Sequence, residues 1–282
     1  MNVKDLSSKW LKVSEVSPHV VHVEMTRGPV NAFNEELWRA YGELFEKLAE
    51  EAYDVRAVVV SSAFPKFFTA GLDLNAAKSA DSTNTDPARV AISLKKHLQE
   101  FQYAIHTPER CDFPVIAAIH GMALGLAVDL SSACDIRYAA SNARFSIKEI
   151  DIGLAADIGT LAYLPKITGN MSLARELAYT AEWFSAAEAE RLGFVSRVVE
   201  GGKDEVLAAA LELAKKIADK SPVAITGTKR LLTHARDHSV PENLEYTAVW
   251  NSAALQTKDM AESIAANKGK RIGKFGALRP KL

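Results

Sequence analysis

The sequence of 282 residues has few cysteines and no long apolar run. Cys111 and Cys134 lie far apart, so they offer neither a zinc-ligand spacing nor a disulfide framework, and a reducing compartment is the expected setting. No segment approaches the ~20 apolar residues that a membrane-spanning helix requires. Residues 1–13 lack the apolar stretch of a secretory signal peptide. We therefore expect no membrane span, no metal site and no secretory leader.

An excess of charge of either sign is also missing, because 34 Lys and Arg balance 35 Asp and Glu. A general nucleic-acid binder carries a net basic face, so no nucleic-acid partner is expected. The 15 glycines and 10 prolines are too few for a disordered or collagen-like chain. With 48% hydrophobic residues, a chain of this length can bury a sizeable core unaided.

Several common catalytic motifs are absent. The chain has no G-x-S-x-G, no G-x-x-x-x-G-K-[ST], no H-E-x-x-H and no G-x-G-x-x-G. Its seven histidines do not cluster, and His120, which directly follows an apolar strand, is more often structural than catalytic in such a place. Serine-hydrolase, nucleotide-binding and zinc chemistry are therefore disfavoured.

Strand and helix patterns alternate through the first 200 residues. Alternating apolar residues predict a half-buried strand around residues 21–25, and apolar runs at 56–61 and 114–119 predict strands covered on both faces. Helical spacing of apolar residues predicts helices over 34–54 and 87–103. This alternation indicates an α/β fold.

The rest of the chain reads as almost entirely helical. The pattern predicts helices over 204–219, 222–235 and 241–267. We therefore expect two regions, a core over residues 1–200 that carries the active site and a helical region over residues 201–282.

Three acids occupy unusual places in apolar segments. Asp129 lies in an apolar helix start, Glu149 follows a short strand, and Asp157 lies in a small-residue segment. Burial raises the pKa of a carboxyl group and suits it to proton transfer near neutral pH. From the residues alone two interpretations stay open. The acids either transfer protons, or Asp129 and Asp157 are helix caps or buried hydrogen-bond partners.

Two glycine-containing loops lead from strands into helices, at residues 67–74 and 121–126. Backbone N–H groups at such turns can converge on a carbonyl oxygen that becomes an enolate. Ordinary strand–helix turns have the same pattern, so each loop alone is a weak signal.

Taken together, these segments resemble the crotonase (enoyl-CoA hydratase/isomerase) superfamily in family order over about residues 10–275. The stretches that carry the resemblance are Pro29-Val-Asn-Ala-Phe33-Asn34, Phe68-Thr-Ala-Gly71-Leu-Asp73-Leu, Pro114-Val-Ile-Ala-Ala-Ile-His-Gly121, Ala133-Cys-Asp135-Ile-Arg137 and Leu192-Gly193-Phe-Val195. The resemblance implies a spiral of ββα units, a helical C-terminal trimerisation region, and a homotrimer or dimer of trimers. It also implies a fatty acyl-CoA substrate and no separate cofactor, since coenzyme A is part of the substrate.

The segment Lys148-Glu149-Ile-Asp-Ile-Gly153-Leu-Ala-Ala-Asp157 is similar to the Δ3,5-Δ2,4-dienoyl-CoA isomerases of this superfamily. The family's hydratases have Glu at the positions of Asp129 and Glu149. The dienoyl isomerases have Asp at the first position and add a third acid where Asp157 stands. The resemblance therefore implies isomerisation of 3,5-dienoyl-CoA to 2,4-dienoyl-CoA in fatty acid β-oxidation.

The resemblance also implies roles for individual residues. The backbone N–H groups of Leu72 and Leu126 would hold the thioester oxygen, although Leu126 stands where the family usually has glycine. Glu149 would take a proton from C2 and Asp157 would deliver one to C6, with the reverse order left open, while Asp129 tunes the pair. The other predicted substrate and CoA contacts are Ala70, Gly71, Asp73, Leu74, Lys270 and Lys274.

Other activities within the superfamily remain as alternatives. Enoyl-CoA hydratase needs a water between two acids, which the shorter Asp129 disfavours. Δ3,Δ2-enoyl-CoA isomerase needs one shuttling acid, which leaves Asp157 without a use. A non-catalytic or RNA-binding relative would have a lysine-rich helix, whereas residues 34–54 hold seven acids and two bases.

The last three residues, Pro280-Lys281-Leu282, are a variant of the S-K-L peroxisomal address. They indicate a peroxisomal protein with an import receptor as partner, although Pro in place of Ser departs from that pattern. A mitochondrial or cytoplasmic location is the alternative.

Overall fold

The computed structural model describes residues 3–50, 53–75 and 86–279, within which the chain forms ten strands and eleven α-helices. The strands are β1 (Leu11–Ser17), β2 (Val20–Met25), β3 (Ala57–Ser62), β4 (Phe67–Thr69), β5 (Val115–Ile119), β6 (Met122–Leu124), β7 (Ile136–Ala140), β8 (Arg144–Ser146), β9 (Phe184–Ser185) and β10 (Arg197–Val199). The helices are α1 (Glu35–Glu50), α2 (Pro87–Ile105), α3 (Thr107–Arg110), α4 (Leu126–Ser132), α5 (Thr160–Ile167), α6 (Met171–Thr180), α7 (Ala186–Leu192), α8 (Lys203–Ala218), α9 (Pro222–Asp237), α10 (Val240–Ala254) and α11 (Asp259–Lys268).

The strands divide into two sheets. The larger sheet has the order β1-β2-β3-β5-β7-β10, in which β1 and β2 pair antiparallel and the others pair parallel. The smaller sheet has the order β4-β6-β8-β9, with β4, β6 and β8 parallel to one another. Strands β3, β5 and β7 are each followed by a short strand of the smaller sheet and then by a helix. This repeat confirms the predicted α/β class and the ββα units.

The core lies on both faces of the larger sheet. One face packs with α1 and the smaller sheet around large apolar side chains such as Phe33, Tyr41 and Phe145. The other face packs against α8, whose alanines at 210, 214 and 218 follow one another at helical spacing. Their small side chains let the helix lie close to the sheet. The predicted division at residue 200 stays a prediction, and α8 packs onto the sheet from just beyond it.

Helix α9 is held to the sheet region by a buried ion pair. The Lys229 Nζ donates to an Asp135 carboxylate oxygen at 2.8 Å and to the carbonyl oxygens of Pro108 and Phe113. The same Asp135 oxygen accepts from the N–H of Val115 at the start of β5. Because every donor of this lysine has a partner, its charge is compensated within the protein.

The predicted single helix over 241–267 is wrong, since α10 ends at residue 254 and α11 begins at 259. Between them the Thr257 hydroxyl oxygen accepts from the N–H of Asp259, and an Asp259 carboxylate oxygen accepts from the Ser221 hydroxyl. Such side-chain bonds to nearby backbone compete with helical bonding and end the helix. None of the described helices is both long and apolar enough to cross a bilayer.

Candidate active site

The carboxyl ends of three parallel strands meet at one edge of the smaller sheet. Loop 70–74 follows β4, Gly125 follows β6, and Lys148 and Glu149 follow β8 closely. A cavity of about 920 Å³ lies at this edge, where α/β proteins commonly bind ligands. The cavity is lined by Phe33, Asn34, Glu35, Trp38, Ala70, Gly71, Leu72, Asp73, Leu74, His97, Leu98, Phe101, Leu124, Gly125, Leu126, Asp129, Lys148, Glu149, Ile152, Leu154, Asp157 and Ile158.

Two glycines in the left-handed conformation allow the loops to approach one another. Gly71 has φ of 87°, and a Cβ there would lie 2.8 Å from the Leu124 carbonyl oxygen. Gly125 has φ of 50°, and a Cβ there would lie 2.9 Å from Glu149 Oε1. The positive φ disfavours a side chain at both positions, the Leu124 backbone leaves no space for one at Gly71, and a Cβ at Gly125 would displace the Glu149 carboxylate.

The backbone N–H groups of Leu72 and Leu126 are available on the cavity wall. Leu126 is the first residue of α4, where a helical N–H has no intrahelical acceptor. Within the described part of the chain, neither N–H donates to a backbone carbonyl in the turns and loops. A Cβ built on Gly71 would lie 3.5 Å from the Leu126 nitrogen, so the two loops are adjacent. Two such donors can hold a carbonyl oxygen on which negative charge develops.

The loop that carries Leu72 is held by a buried asparagine. Asn31 donates from Nδ2 to the Ser62 hydroxyl at 2.7 Å and to the Phe68 carbonyl at 3.2 Å. The Thr69 hydroxyl donates to the Asn31 carbonyl at 2.7 Å and accepts from the Gly71 N–H at 3.0 Å. These bonds fix the turn that presents the Leu72 N–H.

Glu149 lies beside Gly125 and the loop that carries Leu126. Partial burial and the negative charges of Asp129 and Asp157 raise the pKa of Glu149 to about 7. Within the described residues, its Oε2 atom is buried without a hydrogen-bond partner. A carboxylate with this pKa is divided between its acid and base forms near neutral pH, which suits proton transfer.

Asp129 is almost fully buried on α4, with 1% of its surface exposed. Its Oδ1 accepts a 2.6 Å hydrogen bond from the N–H of Thr160, at the start of α5. Burial raises the pKa of Asp129 to about 6, although the hydrogen bonds around Thr160 oppose that shift. Both interpretations offered for this acid therefore have support in the geometry, because it caps a helix and also lines the cavity.

Asp157 is the most exposed of the three acids, and it occupies the loop before α5. Desolvation raises the pKa of Asp157 above its ordinary value. Its backbone carbonyl accepts a 2.6 Å hydrogen bond from Nε2 of Gln102 on α2. The helix α2 therefore helps to place this acid, a role that the sequence analysis did not assign to Gln102.

The structure brings most of the predicted site residues to one cavity. All three acids, together with residues 70–74 and Leu126, line it. Asp73 pairs with Arg27 at 2.7 Å, and the Leu126 side chain is buried in the core. Lys270 and Lys274 are exposed and are not among the residues that line the cavity, and the N–H of Lys274 donates to Glu262.

The other residues singled out in the sequence lie away from the cavity or outside the residues that the structure describes. His120 is buried and its Nε2 lies 2.9 Å from the Phe64 carbonyl oxygen. Among the described residues, no three or more His, Cys, Asp or Glu side chains form a group that could hold a metal ion. Pro280, Lys281 and Leu282 lie outside the described residues.

Curated relatives cover most of this chain. It is 47% identical to the mitochondrial Delta(3,5)-Delta(2,4)-dienoyl-CoA isomerase of Homo sapiens over 265 residues. That match covers 93% of this chain and 80% of the human protein. It is 44% identical over 228 residues to the peroxisomal Delta(3,5)-Delta(2,4)-dienoyl-CoA isomerase of Arabidopsis thaliana, covering 80% of this chain and 81% of that protein.

A solved structure extends the likeness to the whole fold. The enoyl-CoA hydratase of Bacillus anthracis superposes with a TM-score of 0.83 at 28% identity, covering 95% of this chain and 99% of that one. The family model described as Enoyl-CoA hydratase/isomerase matches residues 15–277. With a match over that span, and with relatives of this identity, the chain belongs to the enoyl-CoA hydratase/isomerase family.

Proposed function

We propose that this protein is an isomerase that converts 3,5-dienoyl-CoA to 2,4-dienoyl-CoA in fatty acid β-oxidation. The observation that carries the proposal is the placement of two partly exposed acids, Glu149 and Asp157, on one cavity beside two backbone N–H groups that donate to no backbone carbonyl in the described turns and loops. The names of the relatives at 44–47% identity support the same reaction.

The reaction follows from the bond positions. Glu149 takes a proton from C2, and the electron pair delocalises through C3 to C6 and onto the thioester oxygen. The N–H groups of Leu72 and Leu126 stabilise that oxygen, each by roughly 3–4 kcal/mol if it behaves as a strong donor. Asp157 then delivers its proton to C6, which leaves double bonds at C2 and C4. One proton is removed and one is added, so the substrate and product are isomers.

The two acids start the reaction in opposite protonation states. The base must be ionised, and the pKa of Glu149, about 7, provides the ionised form near neutral pH. The acid must carry its proton, and desolvation raises the pKa of Asp157 towards that state. Two separate groups are needed because C2 and C6 are too far apart for one carboxyl to serve both. We assign Asp129 a positioning role, acting on Glu149 through its charge.

The remaining proposals concern the binding of the CoA part of the substrate and the location of the protein in the cell. Coenzyme A is part of the substrate, so we propose no separate cofactor. We keep Lys270 and Lys274 as proposed contacts for CoA phosphates, since both are exposed and basic. For location we propose the peroxisome, with the mitochondrion or cytoplasm as alternatives, since one relative is named peroxisomal and another mitochondrial.

The first prediction tests the two acids and their order. Glu149→Gln and Asp157→Asn are each expected to lower isomerase kcat at least ~100-fold, the scale of general acid–base catalysis. Exchange of the C2 hydrogen with deuterated water separates their roles. Asp157→Asn should retain the exchange because the first proton transfer is intact, whereas Glu149→Gln should lose it. The reverse result would exchange the two assignments.

A matched control uses Glu200→Gln, which changes an exposed carboxylate that does not line the cavity. Its turnover should equal that of the wild-type protein. Near-wild-type turnover in either active-site variant would remove that residue from the mechanism.

The second prediction concerns the charge of Asp129. In Asp157→Asn, exchange at C2 requires only that Glu149 be ionised, so its rate should rise with pH through the pKa of Glu149. The negative charge of Asp129 raises that pKa. Adding Asp129→Asn removes the charge and keeps an oxygen for the Thr160 N–H, so the midpoint should move to lower pH. An unchanged or raised midpoint would contradict the positioning role.

The third prediction separates isomerase from hydratase. Hydration needs a water held between two acids, but Asp129 is shorter than Glu and one of its oxygens is engaged by the Thr160 N–H. Misplacement by ~1 Å can cost ~100-fold in rate. Hydration of 2-enoyl-CoA should therefore be absent or at least ~100-fold slower than isomerisation, measured by ultraviolet absorbance on one preparation. Equal or faster hydration would assign the protein to the hydratases.

The fourth prediction concerns assembly, for which we propose a homotrimer or a dimer of trimers. The C-terminal helices leave large apolar side chains exposed, and these are Leu232, Val240, Leu244, Val249, Leu255, Met260 and Ile264. We propose that these side chains form a contiguous surface that packs against a neighbouring subunit, since a contiguous exposed apolar surface marks a protein contact. Light scattering at micromolar concentration should give three or six times the monomer mass of 30.7 kDa. A monomer mass would contradict the proposal.

A further inference from the structure

The proposed reaction gives the cavity a direction along the acyl chain. With C2 at Glu149 and C6 at Asp157, the carbons beyond C6 continue past Asp157. The Asp157 carbonyl accepts a hydrogen bond from Gln102 of α2, so that helix lies beside the position proposed for C6. The residues on α2 that line the cavity are therefore neighbours of the acyl tail.

The wall on this side is largely apolar and aromatic. Leu98 and Phe101 of α2 line it together with Trp38 of α1. The rings of Trp38 and Phe101 stack with their centroids 5.0 Å apart and an angle of 26° between their planes. Both side chains are at most 5% exposed. The stacked pair is therefore a packing contact between α1 and α2, at the interface that we call the seam between these helices.

A second, more open cavity of about 390 Å³, lined mostly by polar and charged side chains, lies between the same two helices. Gly42 and Ala104 line it where the helices approach closely, since a Cβ on Gly42 would lie 2.8 Å from the Ala104 Cβ. Arg39, Glu43, Glu46, Lys96, Gln99, Glu100 and Tyr103 form the rest of its lining. Among the described residues, Trp38 alone lines both cavities. The indole ring therefore stands between the catalytic cavity and the space behind it.

Arg39 holds this ring from the side of the second cavity. Its guanidinium carbon lies 4.3 Å from the centre of the Trp38 ring. Glu35 of α1 and Glu100 of α2 each accept a 3.0 Å hydrogen bond from the same guanidinium group. Arg39 and its two glutamate partners, which we call the Arg39 clamp, therefore span both helices. The Trp38 ring stacks on Phe101 and makes a cation–π contact with Arg39.

We propose that Trp38 is a specificity-determining residue that limits the length of the acyl chain beyond C6. The inference rests on the proposed function for the direction of the chain. A smaller side chain at this position joins the two cavities and lets a long acyl tail extend between α1 and α2. Each methylene that becomes fully buried against Phe101 and the aliphatic parts of the side chains that line the second cavity improves binding by about fourfold, from the transfer free energy of a methylene group.

The test compares two chain lengths in Trp38→Phe, Trp38→Ala and the wild-type protein. One measurement is kcat/KM for 3,5-tetradecadienoyl-CoA relative to 3,5-octadienoyl-CoA. The other is the Kd of tetradecanoyl-CoA relative to octanoyl-CoA by calorimetry, which needs no turnover. Trp38→Ala should raise the preference for the longer chain at least ~10-fold in both ratios, as burial of two further methylenes requires. Trp38→Phe keeps a ring at this position and should raise both ratios by an intermediate amount. If Trp38→Ala does not fold, Trp38→Phe alone provides the test.

Leu98→Ala is the matched control, because Leu98 lines the catalytic cavity and not the second one. It enlarges the first cavity without joining the two, so its ratios should shift less than those of Trp38→Ala. An equal shift would overturn the role of Trp38 as the dividing wall.

The two measurements separate this inference from the proposed function. Isomerisation by the wild-type protein with unchanged ratios in both Trp38 variants would overturn the inference and leave the function standing. Shifted binding ratios in a protein that isomerises no dienoyl-CoA would overturn the function and support Trp38 as the limit on the acyl tail.

Discussion

The close approach of the Gly125 backbone to the Glu149 carboxylate is the constraint on which the rest of the site depends. Residue 125 has φ of 50°, a conformation that favours glycine, and a Cβ there would lie 2.9 Å from Glu149 Oε1 and displace that carboxylate. The same turn starts α4, which presents the Leu126 N–H and carries Asp129 one turn later. One backbone turn thus sets the relative positions of a hydrogen-bond donor and two acids.

The three acids that line one cavity repel one another when ionised, and the protein compensates their negative charge only in part. Asp129 has a backbone N–H to satisfy one oxygen, whereas Oε2 of Glu149 has no partner among the described residues. The pKa of Glu149 therefore rises to about 7, because of desolvation first and the neighbouring charges second. Full pairing with a lysine or arginine would lower this pKa and remove the base from the range in which it is useful.

Helix α2 contacts both the proposed proton donor and the proposed wall of the acyl-binding space. Gln102 bonds to the backbone of Asp157, while Phe101, the preceding residue, stacks on Trp38. The placement of the proposed proton donor and of the proposed wall around the acyl tail thus both depend on the packing of one helix. A shift of α2 against α1 would alter both together, since the Arg39 clamp and the Trp38 stack span that seam.

The sequence by itself determined the α/β class, most element positions and the three acids, because hydrophobic periodicity and carboxylates in apolar segments are local signals. Only the tertiary structure decided that Asp129 caps α5, that Gln102 supports Asp157 and that Trp38 divides two cavities. These contacts join residues 31 to 63 positions apart along the chain or belong to two helices packed side by side. Periodicity reports which face of a helix is apolar, and the partner of that face is set by how the strands and helices pack.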